Sequence, residues 1–157
     1  MEMQRFLTMQ AAYRVAGIVI HEDHILLKRC GATWSLIEHQ VRAHEIARDV
    51  LRKIMCLELG TDIRTGRMLG VIENISGDGH SPLHTLTFCY HVAFYTPVLM
   101  LYPKGTPIIC SVYRENVVFE WVPLKQFEQL ALLPARLLEQ FMSLLTRQCM
   151  VAEVAYV

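Results

Sequence analysis

The sequence predicts an α/β or α+β domain built on a mixed β-sheet, on three observations. Several short runs are apolar and rich in β-branched residues. One central stretch repeats its apolar residues at helical spacing, and turn-forming residues part these blocks with no repeat or low-complexity linker between them. Strands, one central helix, more strands and a terminal helix pack as layers around one core.

The elements follow in chain order. Tyr13 to Ile20 (YRVAGIVI) and Ile25 to Lys28 (ILLK), parted by His21-Glu22-Asp23-His24, predict a hairpin of largely buried strands. Trp34 to Ile37 is a short extended segment. From Ala43 to Leu59, apolar residues including Ile46 and Val50 recur at three- and four-residue steps, and Gly60 follows as a C-cap. The last two turns of this helix are apolar on nearly every side, whereas a surface helix keeps a polar face. Met68 to Asn74 and Leu86 to Phe94 predict strands on either side of a Ser76-Gly77-Asp78-Gly79 turn, and Val117 to Val122 predicts another. Leu124 to Leu133 reads as a short amphipathic segment, and Pro134 opens a last helix over Ala135 to Arg147.

The 157 residues carry 15 Lys and Arg against 15 Asp and Glu. Such a balance argues against DNA or RNA polymers as partners, because a polymer binder needs a basic excess to displace counterions. It leaves room for a small anionic ligand. A charged fraction of 19 % lies below the average of about 25 %, so some positions that are usually charged are apolar here. One domain over residues 1–157, with an N-terminal extension over 1–12, is large enough to bury a core without disulfides or a structural metal. Cys30, Cys56, Cys89, Cys110 and Cys149 are odd in number and form no CxxC, which predicts reduced thiols in a cytoplasmic protein. Met1 to Ala12 lacks the charged start and apolar run of a signal peptide, and no stretch approaches the ~18 apolar residues of a membrane span.

Five blocks occur in a telling order: VAGIVIHEDHILLKR, then WSL before a loop and a helix ending ELG, GRMLGVIEN, a Gly turn with a His after it, and FEWVPLKQFEQLALLP. Together, over about Tyr13 to Leu145, they resemble the Nudix (MutT-like) hydrolases. The resemblance implies an α/β/α sandwich with a mixed β-sheet between helices. It also implies hydrolysis of a pyrophosphate bond in a nucleoside diphosphate linked to another group, with Mg²⁺ or Mn²⁺ as cofactor.

The family's box has the form G-x5-E-x7-R-E-U-x-E-E-x-G-U, with U a bulky aliphatic residue. Carboxylates at i, i+3 and i+4 share one helix face, and such hard oxygens hold a divalent cation that activates water. Anchored on Glu58-Leu59-Gly60, the box spans residues 39–61 and is degenerate. Glu45, Glu58 and Gly60 are kept, but His39 replaces the leading Gly, Lys53 the Arg, and Ile54 and Leu57 two of the acids. Catalysis is therefore expected to be lost or greatly reduced, and the cofactor set to be Mg²⁺ or Mn²⁺ or none.

The resemblance makes Glu58 and Glu45 the candidate catalytic and metal-binding residues, with Glu38 as a further metal ligand. It makes Arg29, Glu73 and His84 candidate contacts to a small nucleotide-type ligand. Bland readings stand beside these. Glu58 also fits a partly exposed acid near a helix end, Glu45 a first-turn acid favoured by the helix dipole, and Arg29 a plain surface arginine. His39, His44, His80 and His84 admit a nitrogen-rich metal site, without helical pair spacing to support it. A second class of function, a non-catalytic module, uses the cleft for binding or the apolar helix face as a contact surface, a homodimer included.

Overall fold

The computed structural model describes residues 10–77, 82–95, 107–109 and 117–129. The expected mixed sheet is present. It joins β1 (Gln10–Ile18), β5 (Ile37–Val41), β6 (Ile63–Ser76) and β7 (Leu83–Phe94) in the order β5-β1-β7-β6. β1 runs parallel to β7 and antiparallel to β5, and β6 runs antiparallel to β7. A second, antiparallel sheet stands beside it, ordered β2-β3-β9-β8, from β2 (Ile20–His21), β3 (His24–Cys30), β8 (Ile108–Ile109) and β9 (Val117–Pro123). β4 (Thr33–Ser35) also pairs with β3.

The predicted hairpin is corrected by this topology. Only Ile20 and His21 pair with Ile25 and His24, because both edges of β1 are already taken by β5 and β7. The chain changes sheets at Val19, whose carbonyl accepts a hydrogen bond from the Leu26 amide at 3.0 Å. Glu22 and Asp23 turn the hairpin with φ of 48° and 58°, the left-handed pair that matches the twist of a two-residue connection. β1 also begins inside the segment read as an N-terminal extension, so Gln10, Ala11 and Ala12 belong to the sheet.

The helix α1 (Ala47–Leu59) starts four residues later than the apolar spacing predicts. A turn at 42–45 intervenes, in which the Glu45 amide donates to the Arg42 carbonyl at 3.0 Å and the Arg42 amide donates to Glu45 Oε2 at 2.9 Å. Its C-terminus is as expected: Gly60 adopts φ 67° and its amide donates to the Cys56 carbonyl, ending the helix in the left-handed cap that glycine takes without strain. α1 lies on the mixed sheet at Gly17, where a Cβ would stand 2.7 Å from Met55 Sδ and 3.2 Å from both Leu51 and Val92. A glycine is what lets the helix come this close.

Two buried clusters explain why the central strands read as continuous apolar runs. Val15, Val19 and Leu26 pack with Leu51, Met55, Val92 and Trp121 on the helix side. Ala16, Ile18, Ile25 and Leu27 pack with Leu36, Ile72 and Cys89 on the other. A 3-10 helix over Leu124–Gln129 begins the predicted amphipathic segment, whose remainder, like the expected helix at Ala135 to Arg147, lies outside the described residues. Among the described residues, no helix is long and apolar enough to cross a membrane.

Candidate functional site

Strand alternation brings a row of small polar side chains into one place. Asn74 and Ser76 follow Ile72 at two-residue steps on β6, and Thr85 and Thr87 sit across from Asn74 and Ile72 on β7. Arg14 is in register with Thr87 on β1, and Glu38 lies opposite Ala16 on β5. With Cys30, Thr33 and Ser35 from the second sheet, these residues line a cavity of about 430 Å³. Arg14 Nη2 lies 3.2 Å from Glu38 Oε1. Burial pushes the Glu38 carboxyl above the ordinary carboxylate range, and the positive charges of Arg14 and Lys28 pull against that rise without cancelling it. The Nε of Arg14 is buried and has no hydrogen-bond partner among the described residues. A cleft with one ion pair, one spare guanidinium donor and six Ser, Thr or Asn side chains on the adjacent strands β6 and β7 and on β4 suits a flat, polar small molecule.

Of the residues expected at a site, only Glu38 lines this cavity. Arg29 is held elsewhere, 2.7 Å from Glu120 and with its guanidinium 5.5 Å from the Trp34 ring centroid. Glu73 falls on the other face of β6 from Ile72 and Asn74, and its carboxylate lies 3.1 Å from His84 Nε2. Arg14, Asn74, Thr85 and Thr87 were not singled out in the sequence. Their signal is polar residues two apart, facing one another on strands that are otherwise apolar.

The helix presents a different surface. Glu58 is not the partly exposed acid its place near the helix end suggests: it is 6 % exposed, and Lys28 Nζ from β3 lies 3.4 Å from its Oε1. Burial raises the Glu58 carboxyl above the ordinary carboxylate range, with Lys28 opposing. Ile54 packs against the core, Leu57 is 51 % exposed, and Lys53 is exposed. Glu45 precedes the helix rather than lying in its first turn, and one of its oxygens is bound by its own turn.

A divalent cation needs several hard oxygens converging on one point. Among the described residues, no three His, Cys, Asp or Glu side chains come together in that way, so Glu38, Glu45 and Glu58 do not form a cage. Ile54 and Leu57 supply no oxygen, and a lysine ammonium already faces Glu58. The donor set among the described residues does not fit Mg²⁺ or Mn²⁺. His39 and His44 are exposed and join no such group either, and His80 lies outside the described residues.

Among solved structures, the ORF135 protein of E. coli matches with a TM-score of 0.62 at 22 % identity, covering 87 % of this chain and 92 % of that one. A MutT protein from Methanosarcina mazei matches at 0.62 and 15 % identity, covering 90 % and 97 %. A NUDIX hydrolase from Nitrosomonas europaea matches at 0.61 and 13 % identity, covering 88 % and 90 %. The fold is the Nudix fold. No family model matches the chain, and no curated protein matches it in sequence. Within this Nudix fold, the inter-sheet cavity and the face of α1 that carries Ile54, Leu57 and Glu58 are the surfaces that the sequence-predicted site residues mark.

Proposed function

We propose that the chain is a Nudix-family protein that binds a small nucleotide-type ligand in the cleft lined by Arg14 and Glu38, and that its metal-dependent hydrolysis of a pyrophosphate bond is lost or greatly reduced. One observation carries the reading. Glu58, the acid best placed to hold a cation, is buried against Lys28, with hydrocarbon at Ile54 and Leu57 beside it on the same helix. An ammonium group satisfies a carboxylate electrostatically but neither activates water nor bridges phosphate oxygens as a divalent ion does.

Ligand binding does not depend on that helix face. The cleft supplies hydrogen-bond donors and acceptors matched to a base or sugar, and the buried Nε of Arg14 gains a partner when an acceptor enters. The partner is then a small molecule, not DNA or RNA, met in the cytoplasm. The alternative use of the helix face, as an apolar contact surface, draws less support, because Ile54 packs inward and, within α1, Leu57 is the one large apolar side chain left exposed among the described residues.

The test is release of phosphate or pyrophosphate from nucleotide sugars, ADP-ribose, dinucleoside polyphosphates and nucleoside triphosphates, with Mg²⁺ and with Mn²⁺. Release at the no-enzyme level, unchanged in Glu58→Gln, is the expected result. Robust turnover that Glu58→Gln abolishes overturns the reading.

A further inference from the structure

A second recess lies on the other side of α1. Arg48 and Arg52, one helical turn apart, share a flank of the helix, and Leu57 follows Arg48 by about two and a half turns, which puts it on the opposite flank. With Asp49, the start of β6 at Ile63, Arg64 and Thr65, and Tyr95 just past β7, the two arginines line a cavity of about 270 Å³. None of these residues lines the inter-sheet cleft.

Arg48 and Arg52 each have a partner. Arg52 donates from Nε and Nη2 to the two oxygens of Asp62, both at 3.2 Å. Asp62 is itself fixed, since Oδ1 accepts the Ile63 amide at 2.9 Å. Arg48 lies with its guanidinium 5.0 Å from the Tyr90 ring centroid, a contact that leaves its in-plane N–H donors unspent. Arg64 makes no hydrogen bond or ion pair with the other described residues. Three arginines thus line the recess against two carboxylates, Asp49 in the lining and Asp62 beside it, and leave a positive excess there in a chain of zero net charge. Tyr95 is 65 % exposed at the same recess, and its amide donates to the Asp62 carbonyl at 3.5 Å.

We infer that this recess is a binding site for a small phosphate monoester carrying a planar ring, separate from the cleft. Guanidinium groups bind phosphate oxygens in pairs, and an exposed aromatic ring stacks on a flat group attached to the phosphate. The volume admits a phosphate with one ring system and not an extended dinucleotide.

The experiment is an amide ¹H–¹⁵N NMR titration of the full chain with AMP, inorganic phosphate and adenosine in parallel. AMP shifts the amides of Arg48, Asp49, Arg52, Arg64, Thr65 and Tyr95 saturably, inorganic phosphate shifts the same set with weaker affinity, and adenosine leaves them unmoved. Arg64→Gln, an exposed substitution that leaves the fold intact, weakens AMP at this set by about tenfold. Tyr95→Ala brings AMP down to the affinity of inorganic phosphate. Absence of saturable shifts in this set, shifts confined to the residues of the cleft, binding of phosphate with no gain for AMP, or indifference to Arg64→Gln each overturns the inference.

Discussion

The inter-sheet cleft and the face of α1 lie in the same fold and carry opposite kinds of side chain. The cleft keeps an arginine, a carboxylate and a set of hydroxyl and amide groups around an open volume of about 430 Å³. The helix face has one carboxylate, and that one is withdrawn from solvent and matched to a lysine. Recognition in the cleft rests on groups from five strands, whereas an oxygen cage rests on a few positions of one helix. On the function proposed above, two apolar residues there remove the cage while the strands and their lining stay as they are, and binding is then separable from hydrolysis.

The largest effect belongs to the buried pair. Lys28→Met takes the ammonium from beside the buried Glu58 carboxylate and costs about 3 kcal/mol of stability by urea denaturation, because a buried charge that loses its ion-pair partner keeps its desolvation penalty without that offset. Lys28→Met combined with Glu58→Leu recovers most of that loss. If added Mg²⁺ rescues the single variant as well as the second substitution does, the helix face is a metal site after all and the contrast with the cleft disappears.

In the cleft, Arg14→Gln removes the charge paired with Glu38 and weakens nucleotide binding about tenfold by calorimetry, some 1.4 kcal/mol. Glu58→Gln leaves the same affinity unchanged. Restoring oxygens to the helix with Ile54→Glu and Leu57→Glu raises Mn²⁺ affinity, read by electron paramagnetic resonance, by about tenfold or more. No gain there shows that the segment before the helix is also unfit to hold a cation.

The smallest effect is a pH slope. Glu38 and Glu58 bind their protons more tightly in the folded chain than in the unfolded one, both through burial. Their contribution to stability is complete below the ordinary carboxylate pKa and is lost as pH rises through the raised folded values. Denaturation measured from about pH 4.5 to neutrality therefore shows these two groups lowering stability with rising pH, and the Glu38→Gln and Glu58→Gln substitutions together flatten that component.

What the sequence discloses depends on how local the cause is. The Gly60 cap and the strand at Val117 to Val122 follow from residues that are neighbours in the chain, and the structure has them. The pairing of β1 does not, because β7, its parallel partner, lies some seventy residues on and displaces the hairpin that Tyr13 to Ile20 suggests. Glu58 shows the same limit at a single residue. Its place near a helix end reads as half exposed, and only the fold brings Lys28, 30 positions earlier, against it. The cleft was the least legible feature. Each of its threonines and serines is unremarkable in its own strand, and they form a lining only when two sheets face each other. Arg29 was misleading for a similar reason, since its partners Glu120 and Trp34 come from other strands of its sheet.

The most direct test of the separation between binding and hydrolysis is one calorimetric titration with ADP-ribose, run in EDTA and again in Mg²⁺, with the ligand recovered and analysed afterwards. Equal affinity in both buffers, with ADP-ribose recovered intact, is the predicted result. Binding that requires Mg²⁺, or recovery of AMP and ribose phosphate from the wild-type chain but not from Glu58→Gln, contradicts it.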